Sequence, residues 1–376
     1  MLNRAVAVAR IPGNLLLLVL LKLSKIAPQV QIHMQASTQS ILEPRSSTWH
    51  LKNIQKKNVL LVLRTRSTSH NRGNYICRAQ QEDCDLLTSV SSAIRERYGS
   101  VETKRVIESL NFLAADEEYY RDHANFGTQR ASSYISGLEA RPFHDTDSPD
   151  FLWMKKLEKD YEVILGELQG AVTNTDIEKQ GNYIWAPAAR EEAIAYGPDW
   201  RTLVLQDRCV WDITNSSLFP RTTELVKRFK VPSVEVFFAR QSPQTGIEPH
   251  SDNTNFILTS HLGLDVPEGE CWMRVGNEQH FWKNGSGVIA DTSFIHSTKN
   301  LSEKTDRYVL IIRFWHPGLS KTERNALTFL FDAIEDPTKE GIINANRLAD
   351  ERENQPKLKA TSSTSQTKKK KKVLEC

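Results

Sequence analysis

Cysteine is scarce: the 376 residues hold five, Cys77, Cys84, Cys209, Cys271 and Cys376. The number is odd and no two have the C-x-x-C spacing of a zinc or redox site. A chain this long does not need covalent staples. A disulfide framework is excluded, and a reducing compartment is the simpler expectation. Long apolar runs are also missing. The uninterrupted part of "NLLLLVLLKL", Leu15 to Leu21, ends at Lys22 and falls well short of the ~20 residues that cross a bilayer. No transmembrane span is expected. There is no internal repeat, and Cys376 as the last residue does not meet the four-residue prenylation box.

Acidic residues are nearly absent from the first 81 positions. Glu43 stands alone there against twelve Lys or Arg, a surplus of eleven positive charges. With +3 over the whole chain, residues 82–376 carry a net −8. A mildly acidic body offers no basic face, so no nucleic-acid partner is expected. An acid-poor, Arg- and Ser-bearing leader resembles an organelle transit peptide. In "LVLRTRSTSHNRGNYICRAQQ" (61–81) the "ICRAQ" has the look of the end of a plastid segment. A plastid address is expected for residues 1–81, with mitochondrion or secretory pathway as alternatives. The secretory alternative rests on the apolar run behind Arg4 and Arg10. Five lysines, Lys368 to Lys372, sit in a low-complexity stretch, and residues 341–376 are read as a disordered tail.

Between the ends the composition is globular, 39% hydrophobic and 25% charged. Residues 82–125 carry apolar side chains at three- and four-residue steps and predict a helical N-terminal region to about 128. "FLWMKKLEKDYEVILGELQGAV" (151–172) predicts an amphipathic packing helix on Leu152, Met154, Leu157, Tyr161, Ile164 and Leu168. From about 200 the texture changes. "SVEVFFAR", "NFILTSHLGLDV", "CWMRVGNEQHFW", "SGVIADTSFIHST" and "RYVLIIRFW" are short, β-branched and aromatic, and separated by turn residues. A helix is expected over 321–336. The predicted fold is mainly β with flanking helices (α+β), a double-stranded β-helix or jelly-roll core spanning 129–340. Trp272, Trp282 and Trp315 are read as core.

Three segments suggest a metal site. "EPHSDNTNF" holds His250 and Asp252 two apart. Ten His among acids at about one residue in eight yield about one such pair by chance, so the pair alone says little. His296, at the end of a later strand, completes a two-histidine, one-carboxylate set. Such a facial triad leaves positions open for cosubstrate and dioxygen. Asp291 is the other nearby carboxylate, read as a turn residue or a hydrogen-bond acceptor. Arg307 opens the strand "RYVLIIRFW". Among Val309 and Ile311 it would bury an unpaired charge unless a carboxylate met it; the alternative is a solvent-exposed strand end. Zinc accepts the same donors as iron.

The run from about 130 to 317 resembles the aspartyl/asparaginyl β-hydroxylase family of iron(II)- and 2-oxoglutarate-dependent oxygenases. The likeness lies in "YISGLEARPFHD" (134–145), "SHLGLDVPEGECWMRVGNE" (260–278), "DTSFIHST" and "DRYVLIIRFWHPGLSKTER" (306–324). It implies that His250 and His296 bind iron(II). It also implies that Arg307 anchors the distal carboxylate of 2-oxoglutarate and that His261 lies near that cosubstrate. Two positions depart from the animal members: Asp252 stands where they have glycine, and Thr259 where they have an arginine. The first completes the triad with His250, Asp252 and His296; the second bears on the substrate. The implied activity is hydroxylation of an unactivated carbon in a peptide or small molecule, with the β-carbon of a peptidyl Asp or Asn as the family's own choice. The alternatives are a catalytically silent jelly-roll binding or regulatory module and a zinc-dependent hydrolase on the same scaffold.

Overall fold

The computed structural model describes residues 86–354 apart from 116, 175–179, 182–184, 188–199 and 337. The expected targeting segment and the lysine run lie outside the described residues. No helix among the described residues is long and apolar enough to cross a membrane.

Helices α1 (86–98) and α2 (Lys104–Ala114) bear out the first part of the helical reading. The expectation of helix as far as 125 is wrong. Strands β1 (Tyr119–His123) and β2 (Gly127–Ser133) form an antiparallel hairpin, and the expected boundary at 128 cuts through it. Tertiary partners override local periodicity here. Tyr119 stacks on Tyr134 at 3.7 Å, and β2 pairs in parallel with β9 (Asn253–Thr254). The turn also docks on a distant loop: Asn277 donates from its backbone N–H to Phe126 O (3.1 Å). A Cβ at Gly276 (φ +52°) would lie 1.8 Å from that same carbonyl, so glycine alone permits the approach.

The 151–172 stretch is two helices, α3 (Leu152–Lys159) and α4 (Tyr161–Thr173), broken at Asp160. Leu152, at the start of α3, is exposed, while Met154, Leu157, Ile164 and Leu168 are buried as expected. These helices cover the outer face of a mainly antiparallel sheet. Its strand order is β3 (Phe143–His144), β13 (Gly287–Ala290), β10 (Ile257–Asp265), β15 (Arg307–Trp315), β7 (Ser233–Gln241), β5 (Trp200–Asp207) and β4 (Ala186–Pro187), with β6 (Val210–Trp211) beside β5. A second sheet, β12 (Glu278–Phe281), β11 (Cys271–Val275), β14 (His296–Asn300) and β8 (Thr245–His250), packs against its inner face. Two antiparallel sheets with flanking helices make the expected double-stranded β-helix core.

Strand alternation sorts the residues. Val236, Phe238, Leu258, Leu262, Leu310, Ile312 and Phe314 point to the helices. Phe237, Ala239, Val309 and Ile311 point between the sheets, onto Ile247, Cys271, Met273 and Val275. Each large apolar side chain buried in this way contributes roughly 1.5–3 kcal/mol. Helices α5 (Ile213–Leu218) and α6 (Pro220–Arg228) close one end of the helical layer.

Helix α7 (Lys321–Ala333) starts with a capping box between Ser320 and Glu323. Glu323 also receives two hydrogen bonds from Arg105 (both 2.8 Å), which tie α2 to α7. The disordered tail expected from 341 is a second correction: Lys339–Asn354 form helix α8. Ala345 and Ala349 are small enough to pack closely on α7, and Arg97 pairs with Asp350 (2.6 Å) and Glu353 (3.1 Å).

Candidate metal and cosubstrate site

The register of β14 on β8 places His296 directly opposite His250. Cross-strand partners share a face, and the two imidazole centroids lie 4.2 Å apart. Each ring is oriented by a carbonyl two residues back. His250 Nδ1 meets Glu248 O at 2.7 Å, and His296 Nδ1 meets Phe294 O at 3.0 Å. A carbonyl only accepts, so both Nδ1 atoms carry the proton and both Nε2 atoms present lone pairs. Asp252 follows β8, held by its backbone N–H to Thr292 O (2.9 Å). Its Oδ1 lies 3.8 Å from His250 Nε2 and 3.9 Å from His296 Nε2.

Among the described residues these three form a cluster whose ligand atoms all lie within 4.8 Å of one another. Two metal–ligand bonds of about 2.1 Å span at most about 4.2 Å, so one ion can reach the carboxylate and either ring. Burial, then the neighbouring His250, pushes the His296 pKa down to about 4, so its lone pair is available at neutral pH. The set of two imidazoles and one carboxylate, with no fourth ligand among the described residues, suits a divalent ion that needs open positions.

The far oxygen of Asp252 has a partner that sequence reasoning missed. Arg313 Nη2 lies 3.5 Å from Asp252 Oδ2, and its Nη1 lies 3.5 Å from Glu235 Oε2. All three side chains are buried. Arg313 is also the direct cross-strand partner of Thr259. The signal was present: Arg307 and Arg313 are six apart on one strand, an even spacing that puts both on the inner face. Arg313 holds Oδ2 and leaves Oδ1 facing the two imidazoles. Arg313→Met is expected to weaken binding of a divalent ion about 10- to 100-fold, read by titration calorimetry with manganese(II).

Arg307 lies at the other end of the same strand face. It is 1% exposed, which rules out the solvent-exposed alternative. Its Nε and Nη1 have no hydrogen-bond partner among the described residues. Burial lowers its pKa to about 10, partly offset by Cys271, so it stays charged at neutral pH. The guanidinium sits over the Trp282 ring at 4.2 Å, and Trp282 stacks on His261 at 5.6 Å and 9°. His261 is buried, with an unpartnered Nδ1. Its pKa is driven well down by burial, then by the charge of Arg307 and by His296. Arg307, Trp282 and His261 thus form one buried, stacked row, and His261 lies near enough to His296 and Asp252 to feel their charges.

Trp282 is therefore buried as expected but also lines the site. Trp315 is core, whereas Trp272 is only half-buried and carries Arg274 over its ring at 5.6 Å, a correction to its core reading. Its neighbours Cys271 and Met273 take the inward face of β11. Asp291 proves to be a buried acceptor. Its Oδ1 receives the Ser293 N–H (3.0 Å) and hydroxyl (2.5 Å), and burial lifts its pKa to about 7.

Fold and site together define a double-stranded β-helix protein with a two-histidine, one-carboxylate centre and a buried cation beside it. Residues 158–317 match the family model described as aspartyl/asparaginyl beta-hydroxylase. It is 27% identical over 208 residues to human aspartate beta-hydroxylase domain-containing protein 2, covering 53% of each chain. It is 25% identical over 212 residues to human aspartyl/asparaginyl beta-hydroxylase, covering 55% of this chain and 27% of that one. The chain thus spans about half of the first relative's length and about a quarter of the second's. Among solved structures, HygX from Streptomyces hygroscopicus with nickel and 2-oxoglutarate bound is 9% identical. It covers 41% of this chain and 80% of its own, at a TM-score of 0.28, too low to carry an argument.

Proposed function

We propose that this protein is an iron(II)- and 2-oxoglutarate-dependent oxygenase that hydroxylates an unactivated carbon of a peptide or small-molecule substrate. The β-carbon of a peptidyl Asp or Asn is the first candidate, on the strength of the family match. The single observation that carries the reading is Arg307: a buried, charged guanidinium with unsatisfied donors, on the same inner face that leads to His250, Asp252 and His296. A buried charge without a counter-charge is costly, and a ligand carboxylate removes that cost. A dicarboxylate matches the chemistry of both groups, a chelating end for the metal cluster and a carboxylate for Arg307.

When bound, the metal with 2-oxoglutarate and dioxygen supplies the oxidant for hydroxylation, while 2-oxoglutarate leaves as succinate and carbon dioxide. The chain's own residues do the rest. His250 and His296 present Nε2, each oriented by its carbonyl. Asp252 presents one oxygen because Arg313 holds the other. Trp282 and His261 stack beside Arg307, and Arg307 would fix the distal carboxylate. The acid-poor residues 1–81 support a plastid address for this activity.

The test is succinate release from 2-oxoglutarate by purified protein supplied with iron(II) under air. Metal-dependent succinate is expected, at a low rate without the prime substrate. Tight zinc binding with no consumption of 2-oxoglutarate would point instead to a zinc-dependent hydrolase. Binding of neither metal nor 2-oxoglutarate would leave a silent binding module.

A further inference from the structure

We propose that Gln241 is a second anchor for the carboxylate that Arg307 receives, and that it sets the affinity for the dicarboxylate at this end of the cavity. The inference rests on the oxygenase reading of the site and adds a residue to which that reading assigned no role.

Gln241 ends β7 directly opposite Arg307 on β15. Cross-strand partners project to one face with Cβ atoms about 5 Å apart. That face is the inner one, because Ala239 and Phe237, two and four residues earlier, pack between the sheets. Gln241 is 1% exposed. Its Oε1 accepts the hydroxyl of Thr298 (3.3 Å), which lies two residues after His296 on β14. Its backbone oxygen accepts from Asn300 Nδ2 (3.1 Å), which pins the strand end. Oε1 accepts from Thr298 here, and Nε2 is a buried donor with no partner among the described residues.

Two neighbouring side chains therefore hold three unsatisfied buried donors, Gln241 Nε2 and Arg307 Nε and Nη1. Unmade hydrogen bonds at buried groups are rare and costly. A cluster of donors alone calls for an acceptor with several lone pairs, and a carboxylate offers about four sites on two oxygens. No carboxylate among the described residues meets these donors. Cys271, the group that raises the Arg307 pKa, is a thiol that donates to Asn300 Oδ1 (3.2 Å). On this proposal the acceptor is a ligand carboxylate. The amide adds a neutral, directional donor beside the guanidinium, so the carboxylate is gripped from two strands of the sheet.

The experiment measures 2-oxoglutarate binding by calorimetry with manganese(II)-loaded full-length protein, and repeats it with succinate. Gln241→Met keeps the side-chain volume and removes the donor. It is expected to weaken 2-oxoglutarate about 10- to 100-fold, as the loss of one hydrogen bond to a charged group does, with manganese affinity unchanged. Gln241→Glu places a carboxylate where the ligand's would lie. It is expected to pair with Arg307, raise the melting temperature and abolish binding of both dicarboxylates. If Gln241→Met binds 2-oxoglutarate like the wild type while Arg307→Met does not, the Gln241 anchor is overturned and the oxygenase reading stands. If wild-type protein binds succinate in a Gln241-dependent way but never consumes 2-oxoglutarate, the anchor stands and the oxygenase reading falls. If the wild type binds neither dicarboxylate, both fall.

Discussion

His296→Ala is expected to abolish high-affinity binding of a divalent ion and, with it, all succinate release. The side chain is 6% exposed, faces His250 across two strands and offers its Nε2 to the same point as Asp252 Oδ1. Losing a hydrogen-bond partner of a ligand costs about 10- to 100-fold in metal affinity, and losing the ligand itself costs more. The measurement is calorimetric titration with manganese(II), followed by succinate release with iron(II). Tight binding by the variant, at wild-type stoichiometry, would show that these three residues are not the metal site.

Arg307→Met is expected to separate stability from function. The variant loses a bidentate partner for the ligand carboxylate, so 2-oxoglutarate binding should fall about 100- to 1000-fold. Its folded state should be no less stable than the wild type. The cation–π contact with Trp282 is worth about 2 kcal/mol in a dry site, whereas an uncompensated buried charge costs several. Removing the charge thus removes the larger, unfavourable effect. The checks are thermal unfolding without ligand and calorimetric binding of 2-oxoglutarate. A large loss of melting temperature would mean that Arg307 has a structural counter-charge, and the case for a ligand carboxylate would fail.

The three candidate metal ligands were legible because two of them lie two apart and the third falls at the end of a strand whose pattern is plain. Arg307 was legible because a guanidinium among Val309 and Ile311 demands an explanation. Arg313, Gln241 and Trp282 were not read as site residues. Each acts through a neighbour on another strand: Arg313 through Asp252, Gln241 through Thr298 and Arg307, and Trp282 through His261. Two elements were misread for the same kind of reason. Tyr119–His123 carry a helix-compatible pattern but form a strand because a turn at 124–126 brings β2 alongside. Residues 341–354 were read as part of the low-complexity tail, yet they continue helix α8, which two alanines and Arg97 dock.

By itself the sequence determined the β-strand rhythm from 233 to 315, the packing helices before it and the histidines and carboxylate that can bind an ion. These follow from side-chain periodicity and residue chemistry, which are local. Only the tertiary structure decided that Arg307 and Gln241 share one buried face, that Arg313 orients Asp252, and that their donors are left unmet. Those are matters of strand register, and register is set by which distant residues the chain brings side by side.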